Sequence, residues 1–397
     1  NVVENPIERD QTLQAAWSLA QHVLVVAARL SSETRDLEGE DYADGLRTST
    51  GTFQKLYSQQ GLRTWIEQTL QRTAIAAAPG IFYVFREPAL EQALLARRIR
   101  RTGVRPRVSQ TLFEQHEQLL RALMAFYGEH GRLPRPGETP EHAQLCEEFG
   151  SPRAAFAVIR RLTGEEPWDR IRDCRAADLL VYLALARFGH RARPSELPED
   201  LRYDIRDLFG NHRRACEQAD RLLFAIAEAD RVKDACRAAP VGKHLPTSLY
   251  VHVDALGELA PVLRVIEGAA RALIGQIDEA TLVKIHTAQP AVSYLDYPDF
   301  DSDPHPVLRS GYIVRLDSLR VDYRDYSRHS NPPILHRKER FIAGHDPRRA
   351  KFARLTRQEI RNGLYGDPSR IGTRRAWQDL LAERRLCTRG HRLVRDR

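Results

Sequence analysis

The chain has 397 residues, 42% of them hydrophobic, and a formal net charge of +8. No apolar run approaches the ~20 residues of a membrane span, and no charged-then-apolar leader resembles a signal peptide. The five cysteines (Cys146, Cys174, Cys216, Cys236, Cys387) are odd in number and lack a C-x-x-C pair, which argues against a disulfide framework or a structural zinc. The expectation is a soluble cytoplasmic chain of two or three domains without a membrane partner. It opens on Asn rather than Met, so a processed, trimmed or incomplete version of a longer protein is expected.

The charge is uneven. From Asp301 to the end there are 23 Lys+Arg against 12 Asp+Glu, whereas residues 1–300 hold 38 against 41. A basic block confined to one end is the footprint of polyanion binding, nucleic acid first. Only six of the 61 basic residues are Lys; compositional bias accounts for Arg over Lys, but not for the surplus at one end.

In chain order, Pro6 stands at a helix start, and Ile7 to Ala20 carries Leu13, Ala16, Trp17 and Ala20 at helical spacing. Gln21 to Leu30 is a short, Val-rich apolar run that reads as a strand buried on both faces, central in a parallel sheet. Gly51 to Leu70 gives a second helix and Ile81 to Phe85 a second strand, an α/β order. No G-x-G-x-x-G occurs, and Thr50 to Tyr57 reads as a helix-entry loop.

From Ala89 to Ala239 the pattern is helical, with segments at Leu94–Arg101, Leu112–Tyr127, His142–Phe149, Pro152–Leu162, Asp178–Phe188 and Asp204–Ala227. Phe149-Gly-Ser-Pro152 joins two of these in the manner of a helix-turn-helix whose second helix presents Arg153, Arg160 and Arg161. The simpler reading is a helical hairpin with solvated arginines.

After Pro240 strand patterns appear at Pro246–Val253, Ala280–His286, Val292–Tyr297, Tyr312–Leu316 and Leu319–Tyr326, with a helix over Leu263–Ile274 and a further strand expected within Ile334–Ile342. Leu316-Asp-Ser-Leu319 is a hairpin turn. Asp299, Asp301, Asp303 and His305 gather in one Pro-rich loop, but without the Gly and terminal Glu of a calcium loop they read as a turn. Asn331-Pro-Pro-Ile334 lacks the aromatic that a base-flipping amino-methyltransferase stacks on its target, and reads as a rigid turn.

Val241-Gly-Lys-His-Leu-Pro, Ser293-Tyr-Leu-Asp-Tyr-Pro-Asp-Phe-Asp-Ser-Asp-Pro-His-Pro306, Asn331-Pro-Pro-Ile-Leu-His-Arg-Lys-Glu339, Phe352-Ala-Arg-Leu-Thr-Arg-Gln-Glu359 and Arg370-Ile-Gly-Thr-Arg-Arg-Ala-Trp377 resemble the C-terminal region of methyltransferases associated with DNA phosphorothioation gene clusters. Asn1-Val-Val-Glu-Asn-Pro, Val23 to Ala28 and Gly51-Thr-Phe-Gln-Lys55 extend the resemblance over nearly the whole chain.

The resemblance implies the C-terminal half of a Rossmann-like (class I methyltransferase) domain at 1–88, a mainly helical region at 89–239, and a basic α+β domain with antiparallel strands at 240–397. It implies S-adenosylmethionine (SAM) as cofactor of the family, with Asn1, Glu4 and Asn5 bordering the cofactor and acceptor pocket. The family carries its glycine-rich SAM loop before the point matching Asn1, so this chain is expected to bind SAM poorly. Duplex DNA is the expected partner, through Arg153, Arg160, Arg337, Lys338, Arg340, Arg348, Arg349, Arg374 and Arg375, with other proteins of such a cluster as further partners. Two classes of function follow: a DNA-modification methyltransferase, inactive as this chain, or a non-catalytic DNA-binding component of the same system.

Overall fold

The computed structural model describes residues 4–31, 39–48, 50–99 and 116–396. Asn1 and the parts of the expected helices at 100–101 and 112–115 lie outside them. The chain divides into two compact units, one of residues 1–85 with 225–397 and one of 86–224. The segments expected as a first and a third region thus pack together.

The first unit opens with α1 (Pro6–Leu19), where Asn5 is the N-cap, its side chain accepting from Ile7 N, and proline occupies the first turn. Strand β1 (Val23–Ala27) follows, then a small meander of β2 (Gly39–Tyr42), β3 (Gly45–Thr48) and β4 (Phe53–Gln54), helix α2 (Gln59–Leu70), and strands β5 (Ile75–Ala78) and β6 (Ile81–Phe85). The expected helix over Gly51–Leu70 starts only at Gln59, because Ser58 caps it and Phe53–Gln54 pairs with β3.

Strand β1 is not the expected central parallel strand. It pairs antiparallel with β6, in a three-stranded sheet of order β1-β6-β5. Its faces differ: Leu24 and Val26 pack on the core of Leu13, Leu62, Ile66, Phe82 and Val84, while Val23 and Val25 are 39% and 55% exposed. A run of apolar residues records hydrophobicity and not how many layers cover it, so burial on one face passes for burial on two. Since β1 and β5 both oppose β6, they run in the same direction and are joined through α2, a strand–helix–strand connection with an antiparallel strand between its two strands.

The second unit is helical: α3 (Pro88–Ile99), α4 (Glu117–His130), α5 (His142–Phe149), α6 (Pro152–Thr163), α7 (Glu166–Leu185), α8 (Glu199–Phe209) and α9 (His212–Phe224). Leu119, Leu120, Leu123 and Tyr127 of α4 close over Ile159 and Trp168. Arg132, 1% exposed, bridges Glu138 and Asp204, and His130 Nδ1 lies 3.0 Å from the same Asp204.

The rest of the first unit comprises α10 (Ala229–Arg237), β7 (Lys243–Leu245), β8 (Ser248–His252), α11 (Pro261–Ile274), β9 (Leu282–His286), β10 (Ala291–Asp296), β11 (Ser310–Arg315), β12 (Arg320–Asp325), α12 (Arg349–Arg361), α13 (Arg374–Glu383), β13 (Leu386–Thr388) and β14 (Leu393–Arg395). Six strands form one antiparallel sheet in the order β12-β11-β10-β9-β8-β7, each beside its neighbour in sequence. The strand expected within Ile334–Ile342 is replaced by isolated bridges of Pro333 and Ile334 and a 3-10 turn at Lys338–Arg340.

Helix α11 is buried nearly all round, Arg264 and Glu267 included, and packs on β5 and α2 as well as on β9, β10 and β11. Gln59 ties the junction, donating to Ile274 O (3.1 Å) and accepting from Gly80 N (2.8 Å). Gly275 ends α11 at φ +88°, where a Cβ would lie 2.3 Å from Ala78 N, so both the backbone and the space require glycine. The chain as a whole is mixed α and β with antiparallel ladders; among the described residues no helix is long and apolar enough to cross a membrane.

Candidate nucleic-acid interface

Helix α12 reads R-A-K-F-A-R-L-T-R-Q-E-I-R and has one inward stripe, Phe352, Leu355, Thr356 and Glu359. Phe352 joins the core of Phe300, Phe341 and Ile342. Glu359, 1% exposed, accepts from His305 Nε2 (2.6 Å) and Tyr365 OH (2.5 Å). Trp377 Nε1 donates to His305 Nδ1 at 3.2 Å, which fixes the ring as the tautomer protonated on Nε2, the nitrogen facing Glu359. Burial and the Glu359 carboxylate beside it push the Tyr365 hydroxyl far up.

The consequence lies on the outside of the helix. Its single carboxylate is withdrawn into the core, so its exposed charges are all positive: Arg349, Lys351, Arg354, Arg357 and Arg361. Arg354, Arg357 and Arg361 recur at intervals of three and four, which aligns them on one face. None of the three has an ion pair among the described residues.

The β13–β14 hairpin packs beside α12, with Leu393 N donating to Gln358 Oε1 at 2.9 Å. It brings Arg385, Arg389, Arg392 and Arg395, all exposed. Helix α13 starts nearby in sequence with Arg374 and Arg375 exposed, and Asn331 Oδ1 accepts from Arg375 N at 2.9 Å. The Asn-Pro-Pro-Ile turn thus serves as a helix cap supplied from a distant segment. Arg370 is neutralised by Glu383 through two hydrogen bonds of 2.6 and 2.7 Å.

The residues expected to meet phosphate divide into two groups. Arg153, Arg340, Arg374 and Arg375 are exposed and have no ion pair among the described residues. The other five are engaged elsewhere.

Lys338 is a correction: it is 2% exposed, and its Nζ contacts Phe300 O, Asp303 O and His391 Nε2 at 2.5, 2.6 and 2.8 Å. Burial pushes its amine down to about 7. Arg337 lies on the Tyr365 ring, 4.1 Å from its centroid. Arg348 is held by Asp254, Asp301 and Asp346 at 2.9, 3.2 and 2.7 Å. Arg349 donates to the carbonyls of Glu339 and Ile342, and Arg160 pairs with Glu165 at 3.1 Å. A basic residue next to aromatic or acidic segments in three dimensions is spent on them, and one-dimensional charge counting does not register this.

The helix-turn-helix expected at His142–Leu162 has its elements. Helix α5 ends at Gly150 (φ +78°), and Ser151 caps α6 by accepting from Ala154 N at 3.1 Å. Arg153 and Arg161 are on the surface.

The acidic loop does not collect a metal site. Asp301 pairs with Arg348, Asp303 accepts from His305 N, and His305 is turned to Glu359; among the described residues no cluster of metal-ligating side chains occurs. Of the residues expected to border SAM, Asn1 lies outside the described residues. Asn5 uses its side chain to cap α1, Glu4 is exposed, and among the described residues no glycine-rich turn follows a strand. Compared with protein families, curated proteins and solved structures, the chain matches none.

Proposed function

We propose that this chain is a non-catalytic duplex-DNA-binding component of a DNA-modification system, gripping phosphates through α12 and the C-terminal hairpin. The observation that carries this reading is the withdrawal of Glu359 from the surface of α12, which leaves Arg354, Arg357 and Arg361 aligned and without a carboxylate partner on their own helix. A stripe of that kind neutralises backbone phosphates and carries no base readout by itself. Sequence specificity would come from elsewhere, and α6 with Arg153 and Arg161 is the candidate.

Fluorescence anisotropy with a labelled duplex, titrated across roughly 50 to 200 mM salt, tests the reading. Replacing Arg354, Arg357 and Arg361 together by Gln should lower the magnitude of the log K against log salt slope by about 2.7, about 0.9 for each phosphate left without its arginine. An unchanged slope overturns the assignment of α12 to DNA.

A second reading is favoured by the β1–α2–β5 connection together with the motif resemblance: the chain derives from a SAM-dependent methyltransferase associated with DNA phosphorothioation. Under this reading too the chain would act by binding, with the Asn5 side chain committed to capping α1.

A further inference from the structure

The turn between β13 and β14 is closed by Arg389 N donating to Arg392 O at 2.9 Å, with Gly390 at φ +51°. Arg389, Gly390 and Arg392 are exposed, whereas His391 is drawn inward. Its ring lies beside Phe352 of α12, the centroids 5.2 Å apart, and its Nε2 is 2.8 Å from Nζ of the buried Lys338. Two residues on, Leu393 N donates to Gln358 Oε1 of α12 at 2.9 Å. These contacts seat the hairpin on the helix. Gln358 stands four residues from Arg354 and three from Arg361, so the seated hairpin edges the arginine stripe.

The contact between His391 and Lys338 has room for one charge and not for two. Nζ also lies 2.5 and 2.6 Å from the carbonyl oxygens of Phe300 and Asp303, which can only accept. A charged Lys338 gives its third N–H to His391, and Nε2 must then offer a lone pair, so the imidazole is neutral and protonated on Nδ1. If the imidazole also took up a proton, two cationic donors would face each other at 2.8 Å with no acceptor between them. Burial first, then Lys338, Lys351 of α12 and His305, push this imidazole down to about 4, and Asp303 opposes them. Arg389 and Arg392 flank it in its own turn.

We propose that His391 is a proton-operated latch, which seats the hairpin on α12 while its imidazole is neutral and releases it on taking up a proton beside the charged Lys338. The consequence for DNA rests on the reading of α12 as a phosphate-binding surface: release withdraws Arg389 and Arg392 from the edge of the stripe. The latch itself belongs to the protein without DNA. A released ring returns to an ordinary value near 6.5. Seating is therefore complete above about pH 6.5 and is lost as pH falls towards about 4, and its equilibrium constant drops about tenfold between roughly pH 7.5 and pH 5.5.

Hydrogen exchange of the full chain without DNA reads the latch directly. The protection factor of the Leu393 amide should fall about tenfold from roughly pH 7.5 to pH 5.5. His391→Gln keeps an acceptor that takes up no proton in this range, and should show no such fall. No fall in the unaltered chain, or the same fall in both proteins, overturns the proposal. The proton resonances of the His391 ring give a second measurement that needs no variant: they should titrate well below the ordinary 6.5, and a midpoint at or above that value also overturns it. In a parallel arm with labelled duplex, the log K against log salt slope of the unaltered chain should shrink at the lower pH by about 0.9 for each hairpin arginine withdrawn from a phosphate, and that of His391→Gln should not. Lost protection with an unchanged slope leaves the latch standing and takes the hairpin out of the DNA surface; lost protection with no DNA binding at either pH leaves it standing while the DNA reading fails.

Discussion

At Lys338 a primary amine is enclosed by Phe300 and Phe352, 5.3 and 4.2 Å from their ring centroids, and its three polar neighbours suit either protonation state. Charged, it donates to two carbonyls and to His391 Nε2; neutral, it donates to the carbonyls and accepts from the imidazole. Burial and the nearby Lys338 push His391 down to about 4, so the imidazole is neutral near pH 7.

With its folded pKa depressed to about 7 from an ordinary 10.5, Lys338 binds its proton more tightly in the unfolded chain. Its contribution to stability is complete only above pH 10.5 and is lost as pH falls to about 7. Stability should therefore rise by up to about 1.4 kcal/mol per pH unit through that window. Urea denaturation from pH 7 to pH 9 should reveal the slope, and Lys338→Met should flatten it; the same slope in both proteins would show that the amine is not neutralised by burial. Neither this burial nor that of Glu359 is legible in the sequence. Both residues sit among charged neighbours, and only the fold shows which side chains face the core.

Among the elements, α5 and α6 are the most legible. His142–Phe149 and Pro152 are bounded by local chemistry, a left-handed Gly150 and a Ser-Pro start, which needs no tertiary partner to act. Ser151→Ala removes the acceptor for Ala154 N and should cost about 1 kcal/mol in a denaturation experiment. A loss of only a few tenths would mean that packing of Phe156 and Ile159, not the cap, holds the helix start. The arginine stripe of α12 is readable in principle as R-x-x-R-x-x-x-R. It escapes a count of basic residues, which weights all of them alike, whereas spacing and the inward-facing carboxylate distinguish these three. Strand β1 is legible as a strand but not in its setting, since Val23 and Val25 face outward where the apolar run suggests burial.

For the molecule as a whole, the first unit is held together through α11 and its C-terminal glycine. Gly275→Ala would force a Cβ against the backbone of Ala78 at 2.3 Å and impose a strained φ of +88°. The expected loss is about 2 kcal/mol or more, read as a lowered midpoint of thermal unfolding, because a packed backbone cannot yield as a flexible side chain does. An unchanged midpoint would place the junction of α11 and β5 outside the cooperative core. At the same scale, calorimetric titration of S-adenosylhomocysteine into this chain should give no saturable heat. Stoichiometric binding would overturn the non-catalytic reading and restore the methyltransferase one.

The sequence by itself determined the local elements: the helix start at Pro6, the Gly150-Ser151 turn before α6, the hairpin turn at Asp317–Ser318, the strands on either side of it, and the excess of positive charge at the C-terminal end. These depend on interactions within a few residues or on composition, so no partner is needed to specify them. Only the tertiary structure decided that β1 lies antiparallel to β6, that residues 1–85 and 225–397 form one unit, and which basic residues remain on the surface without a carboxylate. Those outcomes turn on which distant carboxylates, carbonyls and rings a side chain meets, and Asp254 with Arg348, or His305 with Glu359, become neighbours only when the chain has folded.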